Sequence, residues 1–267
     1  MSNTIKLILT DMDGTLLNNK HQMPSDTFEV IQACLQHQII FGIASGRQLH
    51  RLIKQFEPIR NEILFIAENG ACAMYQDKII HFSAIDMKIV TELVEQGRKL
   101  KQAWPILCGK KGAYIECNIP EVVEYCREYC EILTVVPDLT LVEDEICKVT
   151  IYDTIGSEVN SYKTYKNWCN QLQITVSGQS WLDLCNLGES KGHVLQIFQK
   201  ENNITVDQTM AFGDYLNDVS LLQQAKFSYA MKNAHPNLFN YAHNIAPSNE
   251  EEGVTTTIKQ FLEEDII

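Results

Sequence analysis

No stretch of this 267-residue chain approaches the roughly 20 consecutive apolar residues that a membrane-spanning helix needs. The first residues, MSNTIKLILT, also lack the basic start and long apolar run of a secretory leader. An excess of basic residues is missing too: 22 Lys and Arg stand against 34 Asp and Glu. The formal net charge of −12 opposes the phosphate backbone of nucleic acids and the anionic face of a membrane, so neither is expected as a partner. A small anionic molecule stays compatible where local charge is arranged to receive it. The nine cysteines, an odd number, form no CxxC pair, which points to reduced thiols and a cytoplasmic setting rather than a disulfide framework. Cys126 and Cys130 are four apart, yet no histidine or second close pair completes a zinc site, so both read as structural thiols. Internal repeats and low-complexity tracts are absent as well.

What is present is an ordinary globular composition, 45% apolar and 21% charged, with length for one large α/β domain or two modest ones. The first 70 residues read as strand, helix, strand, helix, strand. IKLILT, IIFGIAS and ILFIAEN are apolar runs too short for helices; PSDTFEVIQACLQH has helical spacing with Ser25 placed to cap, and Gln48 to Phe56 reads as a second helix. Uninterrupted apolar strands alternating with helices indicate a parallel sheet covered on both faces. ACAMYQDKIIHF then looks like a hairpin turning at Gln76-Asp77. From about Ala84 to Leu187 the pattern becomes mixed, with strands such as CKVTIYD and ITVSGQ and a helical stretch from Gly156 to Gln171. After Gly188 the alternation resumes: a helix from Ser190 to Glu201, the strand TMAFGD, a helix from Asn217 to Gln224, the strand FSYAM, a further helix, NIA, and a helix from about Gly253. EEDII closes the chain as a frayed tail. The expected fold class is α/β: a doubly wound, Rossmann-like parallel-sheet core over 1–83 and 188–267, interrupted by an inserted α+β cap over 84–187, with hinges near Ala84 and Leu187.

In parallel α/β sheets, ligands bind beyond the carboxyl ends of the strands where strand order reverses. Four segments belong there: Asp11-Met12-Asp13-Gly14-Thr15, Ser45-Gly46-Arg47, Ser190-Lys191-Gly192, and Gly213-Asp214-Tyr215-Leu216-Asn217-Asp218. Each alone has a plain structural explanation as a turn, a helix entry or a solvated lysine. An EF-hand is a poor competitor, because its glycine follows the third ligand position and here it follows the second. Four plain explanations coinciding at one end of one sheet is the less economical reading. Two carboxylates forced together resist ionisation unless a cation sits between them or one keeps its proton. Mg²⁺ meets the first condition, taking carboxylate and carbonyl oxygens while leaving room for a phosphate; Asp11, Asp214 and a backbone carbonyl would hold it. Lys191, the backbone N–H groups near Gly14 and Gly46, the Ser45 hydroxyl and the Asn217 amide would add positive potential and donors for a phosphoryl group.

"DMDGTL", "SGR", "ESKG" and "GDYLND" resemble the four motifs of the haloacid dehalogenase superfamily of phosphohydrolases. Their order and spacing resemble its Cof-like sugar-phosphatase branch, which carries a C2 cap of type IIB between the second and third motifs. The likeness extends to "MKNAHP" (Met231 to Pro236) and "NEEEGV" (Asn249 to Val254). It implies that Asp11 attacks phosphorus and forms an aspartyl-phosphate, and that Asp13 serves as acid and then base while binding Mg²⁺ through its backbone carbonyl. It further implies that Lys191 and Mg²⁺ spread the transition-state charge and that Asp218 orients the lysine or a metal-bound water. Ser45 stands where many relatives have threonine and keeps the hydroxyl. Glu189 is expected to face solvent. Arg47 is expected at the substrate, tying down the cap, or in a structural ion pair.

The resemblance implies a Mg²⁺-dependent phosphatase for a small phosphorylated metabolite, a sugar phosphate or a phosphorylated cofactor or precursor, working as a monomer or weak homodimer. The cap segments Trp104 to Cys117 and Ser177 to Trp181 are where specificity contacts are expected, with Tyr114 or Trp181 stacking on a ring or packing the cap against the core. One alternative is a phosphosugar mutase, since phosphomannomutases resemble the same core and cap. It needs a cationic second phosphate site, and Arg98, Lys99, Lys101, Lys110, Lys111 and Arg127 lie among more acid than base. The other is a phosphometabolite-binding protein without turnover.

Overall fold

Apolar strands of four or five residues, buried along nearly all their length, open the computed structural model, which describes residues 5–264. β1 (Leu7–Thr10), β2 (Ile40–Ala44) and β3 (Leu64–Ala67) alternate with α1 (Thr27–Gln36) and α2 (Leu49–Gln55). α1 does not start on Ser25. Asp26 is the cap residue, its side chain makes no capping bond and pairs instead with Lys259, while the Thr27 hydroxyl turns back onto the Pro24 carbonyl. β4 (Cys72–Tyr75) and β5 (Lys78–Phe82) flank Gln76 and Asp77, which take φ of 52° and 58°, the left-handed pair that a two-residue hairpin turn requires.

The chain divides into two units: one comprises the described residues up to Gly46, Phe56–Ile80 and those from Ser190 onward, the other Arg47–Gln55 and His81–Glu189. The chain crosses between the units at 46/47, 55/56, 80/81 and 189/190; the last two lie a few residues outside the 83/84 and 187/188 read from the sequence pattern. α2 groups with the second unit for a visible reason. The Gln48 amide bonds both the N–H and the carbonyl of Ile132 at 3.2 Å, Arg51 donates to the Glu128 carbonyl, and Lys54 meets Glu131 at 2.5 Å.

That second unit contains α3 (Met87–Gly97), β6 (Ala103–Gly109), β7 (Ala113–Ile115), α4 (Pro120–Arg127), β8 (Leu133–Val135), β9 (Ile146–Asp153), α5 (Ser161–Tyr165), β10 (Leu172–Gly178) and β11 (Trp181–Asn186). Its sheet runs β10-β11-β9-β6-β7-β8. Strand alternation sends Leu107, Val149, Ile151, Leu182 and Leu184 to one face, where they pack with Val90, Leu93 and Val94 of α3 and with Tyr165. On the other face Trp104, Tyr152 and Trp181 stand side by side across three strands, joined by Tyr125 and Tyr129. Trp181 thus packs among aromatics of its own unit. The other specificity candidate, Tyr114, donates its hydroxyl to Asp144 at 3.0 Å. Cys126 is buried, and burial pushes its thiol up to about 12, consistent with a structural thiol.

The helix expected over 156–171 shrinks to α5 and a 3-10 turn at Lys166–Trp168. Buried Asp153 draws the chain away: its carboxylate accepts from the N–H groups of Ile155, Gly156 and Ser161 at 2.9–3.2 Å.

The chain then returns through α6 (Lys191–Asn202), β12 (Thr209–Gly213), α7 (Val219–Gln223), β13 (Phe227–Met231), β14 (Asn244–Ala246) and α8 (Gly253–Glu264). Glu263 and Glu264 of the expected tail close α8, and 265–267 lie outside the described residues. The core sheet runs β14-β13-β12-β1-β2-β3-β4-β5, parallel from β14 to β3 and antiparallel between β3 and β4. The first half winds outward from β1 through β2, and the second outward from β12 through β13. Strand order therefore reverses between β1 and β12, and the loops leaving their carboxyl ends part there. Among the described residues no helix is long and apolar enough to cross a membrane.

Asp153→Ala should lower stability by about 2–3 kcal/mol in urea denaturation, because it strands several part-buried N–H donors at once.

Candidate active site

At the end of β1 the backbone turns so tightly that Leu16 and Leu17 donate back to the carbonyls of Asp11 and Met12, at 3.3 and 2.8 Å. The turn sends the two carboxylates to different environments. Asp11 is buried, whereas the Asp13 side chain is 45% exposed and lies 3.2 Å from His21 Nδ1. Gly14 is required twice over: its φ is +79°, and a Cβ there would come within 2.3 Å of Asp214 Oδ2.

α6 begins at Lys191, with the Ser190 hydroxyl as cap accepting from the His193 N–H. A cation in the first helical turn opposes the helix dipole, and this one is fully buried, so it needs compensation. It finds two carboxylates: Lys191 Nζ lies 2.6 Å from Asp11 Oδ1 and 2.6 Å from Asp218 Oδ1. Asp218 in turn accepts from the N–H groups of Asp214 and Tyr215 through its second oxygen, at 3.1 and 3.2 Å, which folds the GDYLND loop around it. Asp214 accepts from the Thr15 hydroxyl at 3.0 Å, closing the ring back onto the first motif.

Asp11, Asp214 and Asp218 each bring an oxygen within 4.8 Å of the others. Three carboxylates against one ammonium leave a formal surplus of two negative charges. The protonation equilibria register it. Burial raises the Asp11 carboxyl well above the usual carboxylate range, with Lys191 opposing and Asp218 and Asp214 adding to the rise. Burial and then the charge of Asp218 push Asp214 up to about 6. For Lys191 burial disfavours the charged form, but the charges of Asp11 and Asp218 outweigh it and hold the ammonium above its ordinary value. An all-oxygen donor set with two surplus negative charges fits a hard divalent cation. Asp11 and Asp214 suit it better than Asp218, whose two oxygens are already engaged.

Ser45 is buried at the end of β2, its N–H bonded to Ile66 and its carbonyl to the Asn69 N–H. Asn69 is a member that sequence reasoning missed. It accepts from the Asn217 amide at 3.1 Å, and a Cβ on Gly46 would lie 3.0 Å from its Nδ2, so it bridges the second and fourth motifs. Its signal was the Asn-Gly step after a strand: Glu68 and Asn69 are both left-handed, at φ 52° and 55°. Asn233 and Asn249 lie in the two further segments, MKNAHP and NEEEGV. Asn233 donates to the Gly14 carbonyl at 2.8 Å, and Asn249 donates to the Leu17 carbonyl at 2.9 Å, so MKNAHP and NEEEGV brace the two sides of the first turn. Arg47 belongs to the second unit, where it donates to Gln55 at 3.2 Å. Glu189 does not face solvent: it is buried, with His81 Nε2 at 2.9 Å from its carboxylate.

A doubly wound sheet with a lysine-bridged acidic cluster at its switch point defines an α/β enzyme built to manage concentrated negative charge. Residues 8–258 match the family model described as haloacid dehalogenase-like hydrolase. The chain belongs to that family and is an enzyme of its phosphatase group. It is 31% identical over 98% of each chain to the Escherichia coli (strain K12) protein named 5-amino-6-(5-phospho-D-ribitylamino)uracil phosphatase YbjI. It is 24% identical to Phosphatase YwpJ of Bacillus subtilis (strain 168), over 97% of this chain and all of the relative. The solved structure of SMU.1108c from Streptococcus mutans UA159 superposes with a TM-score of 0.85 at 29% identity, covering 97% of this chain and 100% of that one.

Because Asp214 is raised in the fold, its protonated form contributes stability that is complete below about pH 4 and lost as pH rises through about 6. Metal-free wild type should therefore lose on the order of 2 kcal/mol between pH 4 and 7 relative to Asp214→Asn in urea denaturation. A divalent cation at 100 times its Kd should return about 2.7 kcal/mol to the wild type and nothing to the variant. Gly14→Ala should also abolish the cation's effect, since its Cβ takes the space of the Asp214 carboxylate.

Proposed function

We propose that this protein is a Mg²⁺-dependent phosphatase of the cytoplasm, acting as a monomer or weak homodimer on small phosphate monoesters through an aspartyl-phosphate. The observation that carries the reading is the buried Asp11–Lys191–Asp218 bridge: it presents a carboxylate beside a permanent positive charge at the mouth of the sheet. Asp11 attacks phosphorus in line, forming an Oδ–P bond as the ester P–O bond breaks. Asp13, exposed where Asp11 is buried, gives its proton to the departing alkoxide. As a carboxylate it then takes a proton from the water that cleaves the Oδ–P bond, releasing phosphate and restoring Asp11. Lys191, whose charge is secured by its two carboxylates, stabilises the phosphoryl oxygens. The Ser45 hydroxyl, the Asn217 amide and the backbone N–H groups at Gly14 and Gly46 orient them. Asp218 acts through Lys191. Mg²⁺ held by Asp11, Asp214 and the Asp13 backbone carbonyl would supply Lewis-acid charge to the same oxygens.

The relative's printed activity makes a phosphorylated ribitylamino-uracil the first substrate to try, beside sugar phosphates. Of the cations a mutase would need for a second phosphate, Arg98 pairs with Glu116 and Asp138, Lys110 with Glu145 and Arg127 with Glu124, which favours hydrolysis over transfer.

A panel of phosphorylated metabolites assayed with Mg²⁺ or with EDTA tests the proposal. Phosphate release should vanish in EDTA, fall below detection in Asp11→Asn, and drop about 10²–10⁴-fold in kcat in Asp13→Asn. Turnover retained by folded Asp11→Asn would remove the covalent mechanism.

A further inference from the structure

Of the four places where the chain passes between its two units, the last two fall at 80/81 and 189/190. The second-unit residues at those crossings, His81 and Glu189, meet with His81 Nε2 2.9 Å from Glu189 Oε2, their side chains 18% and 9% exposed. A few residues along, the Asn186 amide donates to the Ser83 hydroxyl and to the Ala84 carbonyl, each at 3.0 Å. Residues 81–84 and 186–189 are thus cross-tied at two levels, by a carboxylate whose burial is costly unless it is hydrogen-bonded.

The tie leads directly into α6. Glu189 precedes the cap residue Ser190, and Lys191 is the first helical residue. Downstream, the entry is already held on several sides. The Ser190 hydroxyl bonds the His193 N–H at 3.1 Å, and the Ser190 backbone lies so close to Gly70 that a Cβ there would meet its carbonyl at 2.3 Å. The Gly192 N–H donates to the Ser220 hydroxyl at 3.2 Å. Glu189 supplies the hold on the upstream side, and an acidic residue ahead of a helix N-terminus also offsets the unfavourable cation at the helix start.

We propose that the His81–Glu189 pair is a positioning device for Lys191: it fixes the residue ahead of Ser190, sets the entry of α6, and thereby places the ammonium between Asp11 and Asp218. Its kinetic consequence rests on the phosphatase reading above; its structural consequence does not. His81 and Glu189 are positioning residues, acting through the lysine. Loosening Lys191 weakens charge stabilisation in the transition state more than binding in the ground state, so the loss falls on kcat.

The test uses the full chain as wild type, His81→Ala, Glu189→Ala, the double variant and His81→Gln, which keeps an N–H donor at the Nε2 position. Each alanine variant should lower kcat for p-nitrophenyl phosphate about tenfold with KM within about twofold, and the double variant should be no worse than the weaker single. His81→Gln should recover most of the loss. Hydrogen exchange by mass spectrometry should show faster exchange at the start of α6 in the alanine variants, with β1 and β12 unchanged. Unchanged exchange at α6, an equal rise across the whole sheet, or additive losses in the double variant would overturn the device. A wild type that releases no phosphate would overturn the phosphatase reading instead, and the exchange experiment would still decide the tie.

Discussion

The site depends on one buried ammonium. Lys191 sits where a helix dipole and a dry environment both oppose a positive charge, and it stays charged only because Asp11 and Asp218 stand within 2.6 Å of it. The dependence is mutual. Without the lysine, Asp11 and Asp218 would be two buried carboxylates near a third, Asp214, and at least one would have to take up a proton. The bridge therefore orders the first, third and fourth motifs together, and the Asp218 bonds to the N–H groups of Asp214 and Tyr215 carry that order into the loop that positions Asp214.

The same constraint explains why Asp11 and Asp13 can stand one residue apart. Strand-like alternation would leave them on the same side; the turn at Gly14 separates them by burial instead, one enclosed with the lysine and one half in water beside His21. Their chemistry differs because their solvation differs. Asn233 and Asn249 matter for this reason: by holding the Gly14 and Leu17 carbonyls they keep the turn from relaxing toward an extended strand that would bring the two charges together.

Much of this was legible in the sequence, and the parts that were not share a cause. The core strands and the four motifs are local signals, in which apolar runs end in Asp, Ser and Gly at turn spacing. The family match over residues 8–258 and the parallel β14-to-β3 sheet agree with that reading. What local signals miss is a partner far along the chain. Lys191 read alone is an ordinary solvated lysine, because the residues that bury it lie 180 and 27 positions away. Glu189 looked solvent-facing because His81 is 108 positions distant. Asn69, Asn233 and Asn249 carried no visible role because each works on another segment's backbone or amide. The long helix expected over 156–171 failed for the converse reason: helical periodicity was present, but one buried carboxylate, Asp153, competed for the N–H groups of its first turn.

Topology turns these distant partners into a requirement for completeness. β1 is the first strand of the chain, yet one of its neighbours is β12, which follows the whole of the second unit. Asp11 can therefore be made early but cannot be a buried, charge-paired carboxylate until the chain has returned through α6 and β12 with Lys191 and Asp214. Contacts of such long sequence separation are costly to close and form late. A buried carboxylate that depends on them is charge-paired only in the finished fold, so an incompletely folded chain carries the motif without the assembled site. The longer segment of the second unit, 81–189, has its own two ends cross-tied at 81–84 and 186–189, which shortens the effective loop between β5 and α6 to a strap of a few residues and so lowers the cost of closing it.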